Sequence, residues 1–139
     1  MRLWHKDLIS VLPRQQLLGQ WRECCAIAHN IATTGTPNHM LVNKVILYPV
    51  GHFWKYGHLV WQELESRGYE ADFSKFEQYF SRPYALELPD FQDLFKDWHN
   101  DRYLIQCYYN LQEKYDCGGF NTTEWNKIED KVKGKINNG

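Results

Sequence analysis

The feature that most constrains this chain is the periodicity of residues 14–32. Leu17, Trp21, Cys24 or Cys25, Ala28 and Ile31 recur three and four residues apart, which is one face of an amphipathic helix. Pro13 suits the first turn of that helix, where a missing N–H is harmless. Residues 33–38, Thr-Thr-Gly-Thr-Pro-Asn, end it with loop chemistry. The same period predicts a second helix over 51–67, with Phe53, Tyr56, Leu59 or Val60 and Leu64 facing inward. Gly68 then falls just past its end, where a left-handed backbone is wanted. Asp90 is placed to cap a helix carrying Phe91, Leu94, Phe95 and Trp98. A further stripe, Leu104, Ile105, Tyr108, Leu111 and Tyr115, runs over 101–115 and is broken by Gly118-Gly119. Asn121 or Thr122 can cap a last helix bearing Trp125, Ile128 and Val132. Asp7 can cap a short turn over 8–12. Residues 40–50 fit an extended segment or a short helix stopped before Pro49, and 69–90 read as irregular, with a short helix near 74–80. No convincing set of alternating strands exists. The expected fold class is all-α, a single helical domain of about four to six loosely bundled helices.

A chain of 139 residues can bury a core without disulfides or metals. It has no internal repeat, low-complexity tract or linker, so one domain over 1–139 is expected. No apolar stretch reaches membrane-spanning length. The opening Met-Arg-Leu-Trp-His-Lys-Asp lacks the apolar run of a signal peptide, which points to a cytoplasmic protein with reduced thiols. Aromatic residues make up 16% of the chain, with six Trp and nine Tyr; such side chains build cores and also stack on bases. A net charge of −1 does not announce a nucleic-acid binder. Its distribution is uneven, however, with +3 over residues 1–67 and −4 over 68–139. A basic half could meet phosphates while an acidic half faces away.

The usual catalytic signatures are missing: there is no phosphate loop, dinucleotide fingerprint, nucleophile elbow or H-E-x-x-H. Cys24, Cys25, Cys107 and Cys117 lack zinc-site spacing and read as reduced thiols, so no metal is expected. His52 and His58 lie six apart, on different faces of a helix, and read as satisfied, partly buried side chains. What remains is the polar content of the first helix. Arg14, Gln15, Arg22 and Glu23 sit off its apolar stripe. Arg and Gln read phosphates and base edges, and Glu23 is a candidate catalytic carboxylate. The plain alternative is a solvated helix face with a surface ion pair.

The run Leu8-Ile9-Ser10, Leu12, Gln15, Leu17, Gln20-Trp21-Arg22-Glu23 resembles the small pyrimidine-dimer DNA glycosylases with AP-lyase activity, whose type member is a bacteriophage endonuclease. Arg67-Gly68-Tyr69 and Leu111-Gln112-Glu113-Lys114 are weaker matches, so the resemblance spans roughly residues 1–115. The opening Met-Arg-Leu-Trp-His is closer to a bacterial branch, which implies a cytoplasmic, nucleoid-associated protein. The family fold is all-α, in agreement with the periodicity. The resemblance implies that the α-amino group of the first residue attacks C1′ of a damaged nucleotide and forms an imine. A carboxylate at the place of Glu23 assists. Free α-amines ionise near pH 8 in general, so a useful fraction is neutral at pH 7. The cationic imine then acidifies the C2′ proton, and its loss breaks the phosphate chain; no cofactor is implied.

The family's mature chain begins Thr-Arg. Aminopeptidases spare Met before a bulky residue such as Arg, so Met1 is expected to stay. Placing one extra residue between Leu3 and Leu8 puts Met1 at the nucleophile's place and Arg2 on the phosphate backbone. The ungapped register displaces the amine by about 3.8 Å, which is serious for a nucleophile. The implied site is therefore Met1 and Glu23 as catalytic residues, with Arg2, Arg14, Gln15, Arg22 and Lys114 binding DNA. The implied partner is double-stranded DNA with a lesion or abasic site, met by a monomer. Departures weigh on lesion specificity: Gln16 replaces a family His, Ala26 and Asn110 replace Arg, and 121–139 replaces an aromatic tail with a divergent helical segment after a family-like core of 1–120. Trp4, Trp21, Trp54 and Tyr56 could stack on an extruded base or pack in the core. Two other readings are a non-catalytic helical DNA binder, and a small-molecule or protein-binding domain with an aromatic pocket around Trp54, Tyr56 and Trp98.

Overall fold

The computed structural model describes residues 1–136; positions 137–139 of the expected C-terminal segment lie outside the described residues. Among the described residues there is no strand. The architecture is five α-helices, α1 (Arg14–Thr34), α2 (Val50–Ser66), α3 (Ser74–Glu77), α4 (Asp101–Asp116) and α5 (Thr122–Ile136), joined by short 3-10 turns. The fold is all-α, as the periodicity predicts.

α1 packs against α2 and α3, and α5 packs against α4 and the 3-10 turn Lys6–Val11. The alternatives left open by the sequence resolve by burial. Cys24, not Cys25, completes the buried stripe of α1, and Val60, not Leu59, that of α2. Gly35, at φ +81, ends α1 by donating its N–H to the Ile31 carbonyl. α2 ends in a Schellman pair: Gly68 (φ +88) donates to the Glu65 carbonyl, and Tyr69 to that of Leu64. Arg67 then reaches back to the Leu12 and Ser10 carbonyls at 2.8 and 3.2 Å, pinning the entry of α1 to the end of α2. α4 is capped by Asn100, and α5 by Asn121, whose Oδ1 accepts the Glu124 N–H.

Three expectations are corrected. The first turn covers Lys6–Val11 and is capped by the His5 ring, which accepts the Asp7 N–H, rather than by Asp7. Residues 91–98 do not form a helix capped by Asp90. A 3-10 turn, Phe91–Asp93, is followed by Phe95 at φ +49, which breaks any continuing helix. Phe95 is nonetheless fully buried, its N–H held by His52 Nδ1 at 3.1 Å. The short helix near 74–80 is a single turn, Ser74–Glu77. Residues 40–50 contain a 3-10 turn, Asn43–Leu47, that leads into α2.

Candidate active site at the N-terminal arm

Residues 2–5 cross α1 in a non-helical conformation, and their backbone polar groups are caught by side chains. The Arg2 N–H donates to Glu23 Oε2 at 3.2 Å. The Arg2 carbonyl accepts from Gln20 Nε2 at 2.8 Å. The Leu3 carbonyl accepts from the Tyr103 hydroxyl at 2.6 Å. The Trp4 N–H donates to Gln20 Oε1 at 2.7 Å, and its carbonyl accepts from the Tyr56 hydroxyl at 2.6 Å. Burial raises both phenols above their ordinary range, so each stays a neutral donor. Leu3 and Trp4 are buried beneath this strap, which anchors the arm by packing as well as by hydrogen bonds.

Further along, two buried imidazoles fix the strap's exit. Lys6 N–H donates to His99 Nδ1, while His5 Nε2 pairs with the His99 carbonyl, both at 2.9 Å. Because each Nδ1 accepts a backbone N–H, both rings are neutral with the proton on Nε2. Burial lowers both, and His99 furthest, with His5 and Lys6 adding to its shift. The His99 Nε2 has no hydrogen-bond partner. The Lys6 ammonium is clamped by the carbonyls of Phe91, Gln92 and Leu94 at 2.8, 3.1 and 2.7 Å.

This arrangement brings Met1, Arg2 and Glu23 together. Glu23 is half-buried and Met1 is 38% exposed. The carboxylate forms no ion pair with the Met1 amine or with Arg22; among the described residues the ion pairs are Arg67–Glu63 and Lys135–Asp101, and the neutral His5 ring lies 3.9 Å from Asp7. The Arg2 guanidinium lies over the rings of Trp4 and Tyr103, at 5.6 and 6.0 Å from their centroids. Gln15 and Arg22 are exposed on α1, the latter extending past Gly19. The structure does not bring Arg14 or Lys114 to this cluster. Arg14 is nine residues before Glu23 on α1, about 14 Å along the axis, and its guanidinium is bound to the Tyr69 hydroxyl at 2.8 Å. Lys114 is exposed on α4, eleven residues or about 16 Å beyond Tyr103.

The arm is therefore laid across a helix with its first peptide N–H on a carboxylate. In comparison with known families, a model of the pyrimidine dimer DNA glycosylases matches residues 1–77, more than half of the chain. The chain belongs to the pyrimidine dimer DNA glycosylase family. No curated protein and no solved structure matches it. The family match contains the arm, α1 and α2 and stops short of the weaker similarity at 111–114.

Within this glycosylase framework, several aromatic candidates are core. Trp4, Trp21 and Tyr56 are buried, and Trp54 is stacked on His58 and donates to Glu77 Oε2 at 3.1 Å. Trp54 packs with Phe73 while Trp98 packs with Phe95, His99 and Tyr103, so the two share no ring partner although both adjoin the one core. A cavity of about 280 Å³ lies elsewhere, lined by Ala28, Ile31, Tyr48, Phe53, Tyr79 and Phe80 among others. Sequence reasoning missed Gln20 and Tyr103 as partners of the arm, and read Tyr56 only as a stacking, pocket or core aromatic. Gln20 carried a signal, since it lies inside the family motif at a helix position that turns out to be buried. The two tyrosines carried none, because they meet the arm from 52 and 100 residues away.

Proposed function

We propose that this chain is a DNA repair glycosylase with AP-lyase activity, in which the Met1 α-amine is the nucleophile and Glu23 the assisting carboxylate. The observation that carries this reading is the 3.2 Å bond from the Arg2 N–H to Glu23 Oε2, which sets the α-amine one residue from the carboxylate. The Arg2 amide and Gln20 both donate to Oε2, which leaves Oε1 for the substrate.

In the proposed sequence the neutral amine forms a bond to C1′ as the glycosidic C1′–N bond breaks. The departing base takes the bonding pair and a proton. Opening of the sugar ring gives a cationic imine, and removal of a C2′ proton expels the 3′ phosphate by β-elimination. Glu23 is placed to move protons and to stabilise the cationic intermediates. On an abasic site the same imine forms with loss of water. The nucleotide must leave the stack for C1′ to be reached. Arg2, next to the amine in sequence, and Arg22, next to Glu23, are the proposed phosphate ligands nearest the chemistry. Gln15, Arg14 and Lys114 extend the contact to duplex more than one helical turn of protein away.

Borohydride trapping on abasic-site duplex, with an unmodified N-terminus, tests this reading. A covalent adduct through the Met1 amine is expected. Duplex binding without an adduct would mark a non-catalytic DNA reader, a reading to which Gln16 and Ala26, standing where the family has His and Arg, give some support.

A further inference from the structure

Gln20 is buried inside α1, where a carboxamide needs a reason to be. Its four hydrogen-bonding positions are filled. Oε1 accepts from the Trp4 N–H at 2.7 Å and from the Tyr56 hydroxyl at 2.9 Å. Nε2 donates to the Arg2 carbonyl at 2.8 Å and to Glu23 Oε2 at 3.3 Å. The backbone partners have opposite polarity, so they fix which end of the amide faces which way. The single Tyr56 hydroxyl hydrogen is shared between Oε1 and the Trp4 carbonyl at 2.6 Å, so the amide and the phenol together grip the N–H and the C=O of Trp4. No other described side chain binds both the arm that carries the amine and the carboxylate that faces it.

We infer that Gln20, supported by Tyr56, is the positioning residue that fixes the α-amine of Met1 relative to Glu23. This rests on the roles proposed above for those two groups. Gln20 does not touch the reacting atoms; it sets the register of residues 2–4 on one side and the rotamer of Glu23 on the other. Its one-carbon neighbours in chemistry behave differently. Leucine fills the space and makes none of the four bonds. Glutamate keeps the two bonds to Oε1. Its second oxygen can replace the amide donor only while protonated; ionised, it faces the Arg2 carbonyl and Glu23 Oε2 with the wrong sign.

The test uses full-length, tag-free wild type, Gln20→Leu, Gln20→Glu and Tyr56→Phe, with two measurements. The first needs no DNA: the rate at which acetic anhydride acylates the α-amine, referred to the exposed Lys44 of the same molecule and read by mass spectrometry. Unpinning the arm should speed labelling several-fold in Gln20→Leu and less in Tyr56→Phe. The second is single-turnover borohydride trapping across pH. Gln20→Leu should trap about a hundredfold more slowly at every pH, with little change in duplex affinity. Gln20→Glu should approach wild type below about pH 6 and gain a falling limb above it, as the second carboxylate ionises beside Glu23. A role in packing alone gives no such limb. Unchanged labelling in a folded Gln20→Leu, or a Gln20→Glu profile of wild-type shape, overturns the proposal. If Gln20→Leu does not fold, the Gln20→Glu limb and the Tyr56→Phe labelling rate decide it. If wild type is never trapped while Gln20→Leu still labels faster, the positioning role stands and the lyase reading falls.

Discussion

Glu23 Oε2 accepts both the Arg2 N–H and the Gln20 amide, so the carboxylate is oriented without being neutralised by a cation. Replacing it by Gln keeps the shape and removes the base. The expected loss in strand cleavage after imine formation is about 10²–10⁴-fold, the usual worth of a positioned general acid–base group. Time courses of β-elimination on abasic-site duplex will measure it; cleavage within a few-fold of wild type would remove Glu23 from the mechanism. The buried histidines make a second prediction at this scale. Burial holds His99 well below the ordinary imidazole range, and lowers His5, His52 and His58 in the same direction. The unfolded chain therefore binds more protons than the native one once the pH drops below about 6.5. The stability associated with these neutral rings is full above that pH and is lost as the pH falls toward the native values. The melting temperature should drop between pH 7 and pH 5, and the slope should be shallower in His99→Gln, which lacks the most strongly perturbed ring. An equal slope in that variant would mean that His99 is not the group titrating. The candidate pair was legible only through the family resemblance: Glu23 lies in the motif over 8–23, and Met1 precedes it. The groups that hold the pair were not, since Tyr56 and Tyr103 join it only through tertiary contact.

The helices were legible where a stripe was long. α1, α2, α4 and α5 each carry three or more buried residues at helical spacing. The errors fell on short segments whose conformation is set by distant partners. Residues 91–98 contain helix-like spacing, yet Phe95 takes a left-handed backbone. His52 Nδ1 accepts its N–H, and its carbonyl accepts from His99 at 2.7 Å. Arg67-Gly68-Tyr69 matched a family pattern, and here it works as a joint: Arg67 ties α2 to the start of α1, and Tyr69 holds Arg14. The contact between α2 and α3 is equally specific. A β-carbon on Gly57 would land on the ring of Phe76, which is fully buried. Gly57→Ala should therefore destabilise the fold by about 1–3 kcal/mol, despite the better helix propensity of alanine. Chemical denaturation will show this as a lower midpoint at unchanged slope; a gain in stability would mean that Phe76 moves aside at no cost.

At the scale of the whole molecule, the charges decide how a nearly neutral chain could hold a polyanion. The excess of +3 lies in the first 67 residues, which contribute the arm, α1 and α2, while the remainder is acidic. Arg2 adjoins the amine in sequence and Arg22 adjoins Glu23, whereas Arg14 and Lys114 stand apart from them. Arg14 and Lys114 stand about 14 and 16 Å along their own helices from Glu23 and Tyr103, four or five base pairs at 3.4 Å each, so contact with all four cations requires a duplex that extends well beyond the lesion. Arg14 is already engaged by Tyr69 and would have to share or exchange that hydroxyl for a phosphate. Affinity for abasic-site duplex as a function of salt separates these contributions. If all four cations bind phosphate, the plot of log affinity against log salt should have a slope near −3.6, at about −0.9 per cation. Arg22→Ala should make the slope shallower by about 0.9, and Lys114→Ala by the same amount if the duplex extends that far. A slope near −1.8 in wild type, unchanged in Lys114→Ala and Arg14→Ala, would confine the phosphate contacts to Arg2 and Arg22. The enzyme would then hold the duplex only at the lesion, and the remaining affinity would have to come from the extruded nucleotide.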